Sequence, residues 1–157
     1  MASAVGETVL FKSVFTDKYV RPINKHTPSN DPKNERLSAD GKGGPQMYLE
    51  KIRTGNHMYH IKSHETNKYW QVKSEDDGWI TADADATSDR GTLFEIVYFV
   101  APTTATDAAT TTTVRLRHRF SQRYVRLCKE GEGYYLRASS HNIDKDSMDV
   151  FVCEKFQ

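Results

Sequence analysis

A short acidic stretch beside a tryptophan is the part of this sequence whose residue types best suit a chemical task. Glu75, Asp76, Asp77 and Gly78 are followed directly by Trp79. A flat indole ring can cover the apolar C–H face of a sugar, while carboxylates accept hydrogen bonds from its hydroxyl groups and set specificity. The stretch therefore predicts a carbohydrate-binding site. The alternative left open is a structural tryptophan that caps its own hairpin or packs against another subunit.

The sequence contains no complete motif for catalysis or metal binding that would favour a different interpretation. The signatures of serine hydrolases, zinc peptidases and nucleotide-binding loops do not occur, so we expect no enzyme and no cofactor. His57 and His60 would point to opposite faces of a strand and His64 falls in a turn, so solvated histidines are expected rather than zinc ligands. The run 83–89 resembles the start of a calcium loop but lacks its sixth-position glycine and its twelfth-position acid. No metal site is predicted.

The elements that must position the acidic stretch are indicated by an internal repeat. Three copies of one pattern each contain an apolar residue, a basic residue and a serine or histidine, with a tyrosine six positions after that last residue. They are Phe11-Lys12-Ser13 with Tyr19, Ile61-Lys62-Ser63 with Tyr69, and Leu116-Arg117-His118 with Tyr124. Each copy then has an aliphatic residue with alanine two positions later, at Leu37 and Ala39, Ile80 and Ala82, and Leu136 and Ala138.

The repeat predicts an all-β fold. Each copy contains four short runs of β-branched and aromatic residues between turn residues, and no stretch keeps a helical period. Three four-stranded repeats of roughly 50 residues fit a β-trefoil, a closed barrel that leaves no exposed sheet edge. We predict one domain over 1–157, with repeats at approximately 6–53, 56–101 and 112–157 and a surface loop at 102–113.

Strand alternation gives Trp79 a predicted orientation. Ile80 matches the buried aliphatic position of the other repeats, and an inward Ile80 puts Trp79 on the opposite face. Asp77-Gly78 is a strong signal for a two-residue turn, so we expect an exposed Trp79 ring at a hairpin tip. Arg36 and Tyr135 hold the same position in the first and third repeats, and Tyr135 is a candidate for a second site related by pseudo-symmetry.

The charge balance argues against several function classes. Lys plus Arg is 22 and Asp plus Glu is 21, a net charge of +1, whereas non-specific nucleic-acid binding and membrane-surface binding need clustered positive charge. No apolar stretch approaches the roughly 20 residues of a membrane span. With no signal peptide and no Asn-x-Ser/Thr sequon, we expect a cytoplasmic or nucleocytoplasmic protein whose Cys128 and Cys153 are reduced thiols.

The sequence also resembles a known family, the agglutinin domain of amaranthin-type plant lectins. The resemblance spans about residues 6–157 and is most specific in the second repeat. It is carried by the segments 60–63, 66–69, 79–82, 92–94, 114–116 and 149–151. It implies a β-trefoil lectin that binds galactose- and N-acetylgalactosamine-containing glycans such as Galβ1-3GalNAc. Family members with two tandem domains form homodimers whose sites lie between domains of different subunits, so a homodimer is also expected.

The resemblance further implies a role for the acidic hairpin. The stretch 76–79 matches the family's sugar-contacting segment. Trp79 keeps the expected residue type, while Asp76, Asp77 and Gly78 stand where one family member has asparagine, histidine and tyrosine. Glu75 and Tyr135 join these four residues as predicted carbohydrate contacts on the arguments given above.

Two function hypotheses from other classes stay open beside the lectin. One is a trefoil that binds proteins, and the other is a targeting module cut from a larger protein, such as a pore-forming one. A glycan array separates the lectin from the protein-binding trefoil, and the length of the native transcript tests the targeting module.

Overall fold

The computed structural model describes residues 6–23, 36–98, 111–143 and 147–156, and these ranges form an all-β fold. In the described ranges, no helix has the length and apolar character needed to cross a membrane. The strands of the described ranges are β1 Glu7–Ser13, β2 Tyr19–Pro22, β3 Leu37–Gly41, β4 Leu49–Gly55, β5 Met58–Ser63, β6 Lys68–Val72, β7 Ile80–Ala84, β8 Phe94–Tyr98, β9 Thr111–His118, β10 Arg123–Glu130, β11 Gly133–Ser140 and β12 Phe151–Phe156. A 3-10 turn at Pro45–Met47 lies between β3 and β4.

The first and fourth strands of each repeat close into a barrel. Antiparallel pairing runs from β1 to β4, β5, β8, β9 and β12, and then back to β1. The second and third strands pair as three hairpins, β2–β3, β6–β7 and β10–β11. These hairpins form the cap of the predicted β-trefoil, so the acidic stretch after β6 lies in the cap.

The turn between the first two strands is built alike in all three repeats. Asp17, Asn67 and Gln122 each have a φ between 57° and 59° and lie two positions before the repeated tyrosine. The backbone N–H of each donates to the carbonyl oxygen four residues earlier. Asp and Asn tolerate this left-handed conformation better than most residues. The three turns therefore leave the barrel in the same way.

The repeated apolar positions supply the core. Trp70 is completely buried, and its ring centroid lies 5.8 Å from that of Phe11 and 6.2 Å from that of Phe94. Cys153 is buried in the same core and Cys128 is partly buried, and both are free thiols. The aliphatic and alanine positions noted in the sequence are all buried, namely Leu37, Ala39, Ile80, Ala82, Leu136 and Ala138. Ile80 therefore faces inward, as expected.

Two predictions about connections need correction. The predicted loop 102–113 extends too far, because β9 begins at Thr111 and pairs there with β12. The rest of that loop lies outside the described residues. The connection between β6 and β7 is longer than a two-residue turn, because β6 ends at Val72 and β7 begins at Ile80. The backbone N–H of Gly78 donates to the Ser74 carbonyl at 2.8 Å, which folds this connection into a compact loop.

Candidate functional site

A cavity of about 560 Å³ lies where the β6–β7 connection meets the β7–β8 connection. It is called the inter-loop cavity below. Its lining residues are Gln71, Val72, Lys73, Glu75, Asp76, Ser88, Arg90 and Gly91. Most carry hydrogen-bonding side chains, so the cavity offers donors and acceptors to a polar ligand. Two of the predicted site residues, Glu75 and Asp76, lie in it.

Glu75 and Asp76 are held differently. The Glu75 carboxylate pairs with Arg90, with Oε1 3.2 Å from Nε. The Glu75 backbone carbonyl accepts a hydrogen bond of 3.0 Å from Nη1 of Arg123, so the third repeat anchors this loop. Asp76 is exposed, and its carboxylate has no hydrogen-bond or ion-pair partner among the described residues. Asp76 is therefore the acceptor that an entering ligand would find uncommitted.

Asp83 does not line the cavity, but it contacts two side chains that do. The Asp83 carboxylate accepts hydrogen bonds from Nε2 of Gln71 at 2.8 Å and from the Thr81 hydroxyl at 2.6 Å, and it pairs with Lys73. Burial alone would raise the pKa of Asp83, but the hydrogen bonds from Lys73, Thr81 and Gln71 outweigh it and lower the pKa. An ionised Asp83 therefore orients two cavity-lining side chains.

The environment of Trp79 differs from the predicted one. It is partly buried in the cap and does not line the cavity. The guanidinium carbon of Arg36 lies 3.7 Å from the Trp79 ring centroid, and that of Arg137 lies 4.7 Å from it. The Tyr135 ring meets the Trp79 ring edge-on at 6.5 Å. The prediction of an exposed Trp79 ring at a hairpin tip is wrong. The face of the strand opposite Ile80, on which Trp79 lies, packs against neighbouring hairpins instead of facing solvent.

The same contacts explain why one position of the repeat holds such different residues. Arg36, Trp79 and Tyr135, called the axial cluster below, converge where the three hairpins meet. Each of the three forms a β-bridge to a residue of a neighbouring hairpin. In every case the bridge partner lies two positions after the axial-cluster residue of that neighbouring hairpin. The bridges are Arg36 with Thr81, Trp79 with Arg137, and Tyr135 with Ser38. Tyr135 thus lies in the same cluster as Trp79 and not at a separate pseudo-symmetric location.

Gly78 and Asp77 dock the loop onto the third repeat. The Gly78 carbonyl accepts a hydrogen bond of 2.7 Å from the backbone N–H of Ala138. Gly78 has a φ of 75°, and an added Cβ would lie 2.3 Å from the Ala138 carbonyl oxygen. The Asp77 carbonyl accepts a hydrogen bond from Nε of Arg137, while its side chain is exposed away from the cavity lining. Of the six predicted contacts, only Glu75 and Asp76 line the cavity.

The histidines occupy less similar environments than expected. His57 lies in the exposed turn before β5, and His64 is exposed in the turn after it. His60 is buried, with Nδ1 at 2.9 Å from the Thr92 hydroxyl, so the expectation of a solvated side chain is wrong for this residue. No group of three or more His, Cys, Asp or Glu residues in the described ranges is placed to hold a metal ion.

Several residues around the cavity carry no signal in the sequence. Gln71 and Lys73 belong to a stretch that shows only alternation, and Arg90 lies in a loop without a motif. Ser88 lies in the run 83–89, whose resemblance to a calcium loop gave no reason to expect this cavity. These residues meet Glu75 only because the cap folds two loops of one repeat together. Outside the cavity lining, the repeat motif places His118 where the other two repeats have serine, and its side chain is completely buried. Its Nδ1 lies 2.8 Å from the Ser121 hydroxyl.

His118 predicts a pH dependence of stability. Burial lowers its pKa below the ordinary 6.5. The unfolded chain therefore takes up a proton near that pH, whereas the folded chain does so only at lower pH. The free energy of unfolding should be highest above about pH 6.5 and should fall as the pH drops from there through the folded-state pKa. Thermal melting at several pH values between 8 and about 5 measures this slope.

The matched variant is His118→Ser, which restores the residue of the other repeats. We expect it to flatten the slope above about pH 5, since Asp40 and Asp83, whose pKa values are lowered from the ordinary 3.8, lose their contribution to stability mainly below that pH. Equal slopes in the parent and the variant would show that His118 does not carry the effect.

The comparisons with known proteins come from one family and from solved structures. The family model of the agglutinin domain matches residues 5–154. No curated protein matches the chain. The fold is similar to the designed 3-fold symmetric protein ThreeFoil, with a TM-score of 0.66 and 11% identity over 95% of this chain and 99% of that one.

Two further solved structures also have a fold similar to that of this chain. The BEL β-trefoil superposes with a TM-score of 0.64 and 12% identity, covering 99% of this chain and 97% of its own. The SDF2-like protein from Arabidopsis thaliana superposes with a TM-score of 0.64 and 10% identity, covering 98% and 94%. At these identities the structures establish the fold, while the family follows from the match over 5–154. The chain is a β-trefoil and belongs to the agglutinin-domain family.

Proposed function

We propose that this chain is a lectin-like module that binds neutral glycans at the inter-loop cavity and acts by binding, not by catalysis. Membership of the agglutinin-domain family supports the carbohydrate ligand. The main support for placing the glycan at this cavity is the Asp76 carboxylate, which has no partner among the described residues. Gln71, Lys73 and Arg90 line the same cavity. Sugar hydroxyls both donate and accept hydrogen bonds, so they suit a wall that mixes carboxylates with amide, ammonium and guanidinium donors.

The proposed ligands are galactose- and N-acetylgalactosamine-containing glycans such as Galβ1-3GalNAc. The resemblance to amaranthin-type lectins supports this choice. The charges at the cavity support a neutral glycan over an acidic one. Both cationic side chains of the lining are already paired with carboxylates, Arg90 with Glu75 and Lys73 with Asp83. One open site of this kind is expected to bind weakly, with a Kd on the order of 0.1–1 mM, equivalent to about 4–5.5 kcal/mol.

The test is a glycan array followed by calorimetric titration of the parent and two single variants. Asp76→Ala should weaken binding by about 1–2 kcal/mol, because it removes a charged hydrogen-bond acceptor from the cavity. Asp77→Ala is the matched control, since this neighbouring carboxylate is also exposed but does not line the cavity. It should leave the Kd unchanged. Both variants should melt close to the parent, because exposed side chains contribute little to stability.

Two results would contradict the proposal. An array on which the parent retains no glycan would remove the lectin assignment and favour the protein-binding trefoil. Equal losses of affinity in Asp76→Ala and Asp77→Ala would place the sugar outside the inter-loop cavity.

A further inference from the structure

The inter-loop cavity lacks an aromatic wall of its own. None of its lining residues is aromatic. Trp79, which the sequence offered for this role, has the Arg36 guanidinium 3.7 Å from its ring centroid and packs within the axial cluster. Sugars present an apolar C–H face that polar side chains alone do not cover. A neighbouring exposed ring would supply what the cavity lacks.

Phe120 is such a ring, and it comes from the third repeat. It lies in the turn between β9 and β10 and is 49% exposed. The guanidinium carbon of Arg90, a cavity-lining residue, lies 4.6 Å from the Phe120 ring centroid. Arg123, at the end of the same turn, donates from Nη1 to the Glu75 carbonyl at 3.0 Å. Two contacts from this turn therefore reach two residues of the cavity lining.

The fold does not require an aromatic residue at this position. The equivalent residue is Phe15 in the first repeat and Glu65 in the second. The second repeat builds the same turn around Glu65, with Asn67 at a φ of 57° and the same backbone hydrogen bond to Ser63. The turn geometry therefore does not require a ring at 120, and what distinguishes Phe120 from Phe15 is its contact with a cavity-lining residue.

We propose that Phe120 is the aromatic wall of the glycan site and that the site extends across two repeats. A saccharide of two or more neutral rings would place one ring at Asp76 and Arg90 and pack the next against the exposed side of Phe120. Arg90 links the two parts, because it borders the cavity and stacks on the Phe120 ring. This inference rests on the proposed function and names a contact that the acidic hairpin does not contain.

The test uses Phe15 as a matched control. Phe15 occupies the same turn position, is 41% exposed, and contacts the Tyr134 ring edge-on at 5.5 Å, away from the cavity lining. In titrations with Galβ1-3GalNAc, Phe120→Ala and Phe120→Leu should each raise the Kd by about 2- to 10-fold, because both remove the ring face. Phe120→Tyr should keep the Kd within about twofold of the parent, and Phe15→Ala should leave it unchanged.

The outcomes separate this inference from the proposed function. If the parent binds the disaccharide and Phe120→Ala binds it equally well, the aromatic wall is wrong while the lectin stands. Equal losses in Phe120→Ala and Phe15→Ala would also overturn it, since the effect would then not be local to the cavity. If Phe120→Leu retains affinity and only Phe120→Ala loses it, apolar bulk and not ring stacking is responsible, and the proposal fails. A parent that binds no saccharide would overturn both.

Discussion

Gly78→Ala is expected to lower the free energy of unfolding by about 3–4 kcal/mol, the largest single-residue effect predicted for this chain. Two costs add together. An alanine with a φ of 75° is in a left-handed conformation that costs about 1–2 kcal/mol. Its Cβ would also lie 2.3 Å from the Ala138 carbonyl oxygen, so two backbone segments must separate. Denaturant unfolding followed by circular dichroism measures the change.

Gly131→Ala separates these two costs. Gly131 also has a positive φ, of 60°, but nothing lies within 4 Å of a Cβ built at that position. It should therefore lose only the conformational part, about 1–2 kcal/mol. If the two variants lose equal stability, the close approach between Gly78 and β11 is not what determines the effect.

This glycine also bears on the family resemblance. The resemblance placed Gly78 where one family member has tyrosine and implied a sugar contact there. In this chain the backbone of the third repeat occupies the space next to Gly78, and its N–H at Ala138 bonds the Gly78 carbonyl. Any side chain at position 78 would have to displace this backbone. The departure from the family pattern is a packing feature of the cap.

The fold could be predicted because its determinants are local and recur three times. Turn residues such as Asn67 and inward residues such as Ile80 occupy the same place in each repeat, so one misjudged position does not change the topology. The two-residue turn at Asp77-Gly78 was predicted wrongly for a related reason. Its dipeptide signal is local, whereas the longer loop is held by bonds to Ser74 and to Ala138 of another repeat.

The site could be predicted only in part, because half of it is made by contacts between distant segments. Strand alternation correctly placed Ile80 inward, but it does not reveal whether the other face meets water or a neighbouring hairpin. Trp79 faces the axial cluster for that reason. Arg90 lies in a loop without a motif and Phe120 in the repeated turn of another repeat, and only the closure of the cap brings Arg90 beside both Glu75 and Phe120. Sequence spacing carries no information about such closure.

Trp79→Ala is the second large effect, and the structure changes what it should do. The ring borders Arg36, which is only 8% exposed, and it also contacts Arg137 and Tyr135. Removing the Trp79 ring leaves a void in the cap, and the nearly buried Arg36 guanidinium loses its contact with the ring. Arg36 keeps its ion pair with Glu130, at 2.7 Å. We expect the free energy of unfolding to fall by about 2–3 kcal/mol. Chemical denaturation at constant pH measures it.

Trp79→Phe is the control, because it keeps a ring face for Arg36 while removing the indole N–H and part of the volume. It should cost less than half as much stability as alanine, since a phenyl ring still accepts the guanidinium. Glycan affinity of both variants, measured well below their melting temperatures, should stay near that of the parent because Trp79 does not line the cavity. A Trp79→Ala variant that melts like the parent but no longer binds glycans would reverse this assignment. The indole would then be the sugar-stacking ring that the hairpin sequence alone suggested, and its contacts with Arg36 and Arg137 would contribute little to the cap.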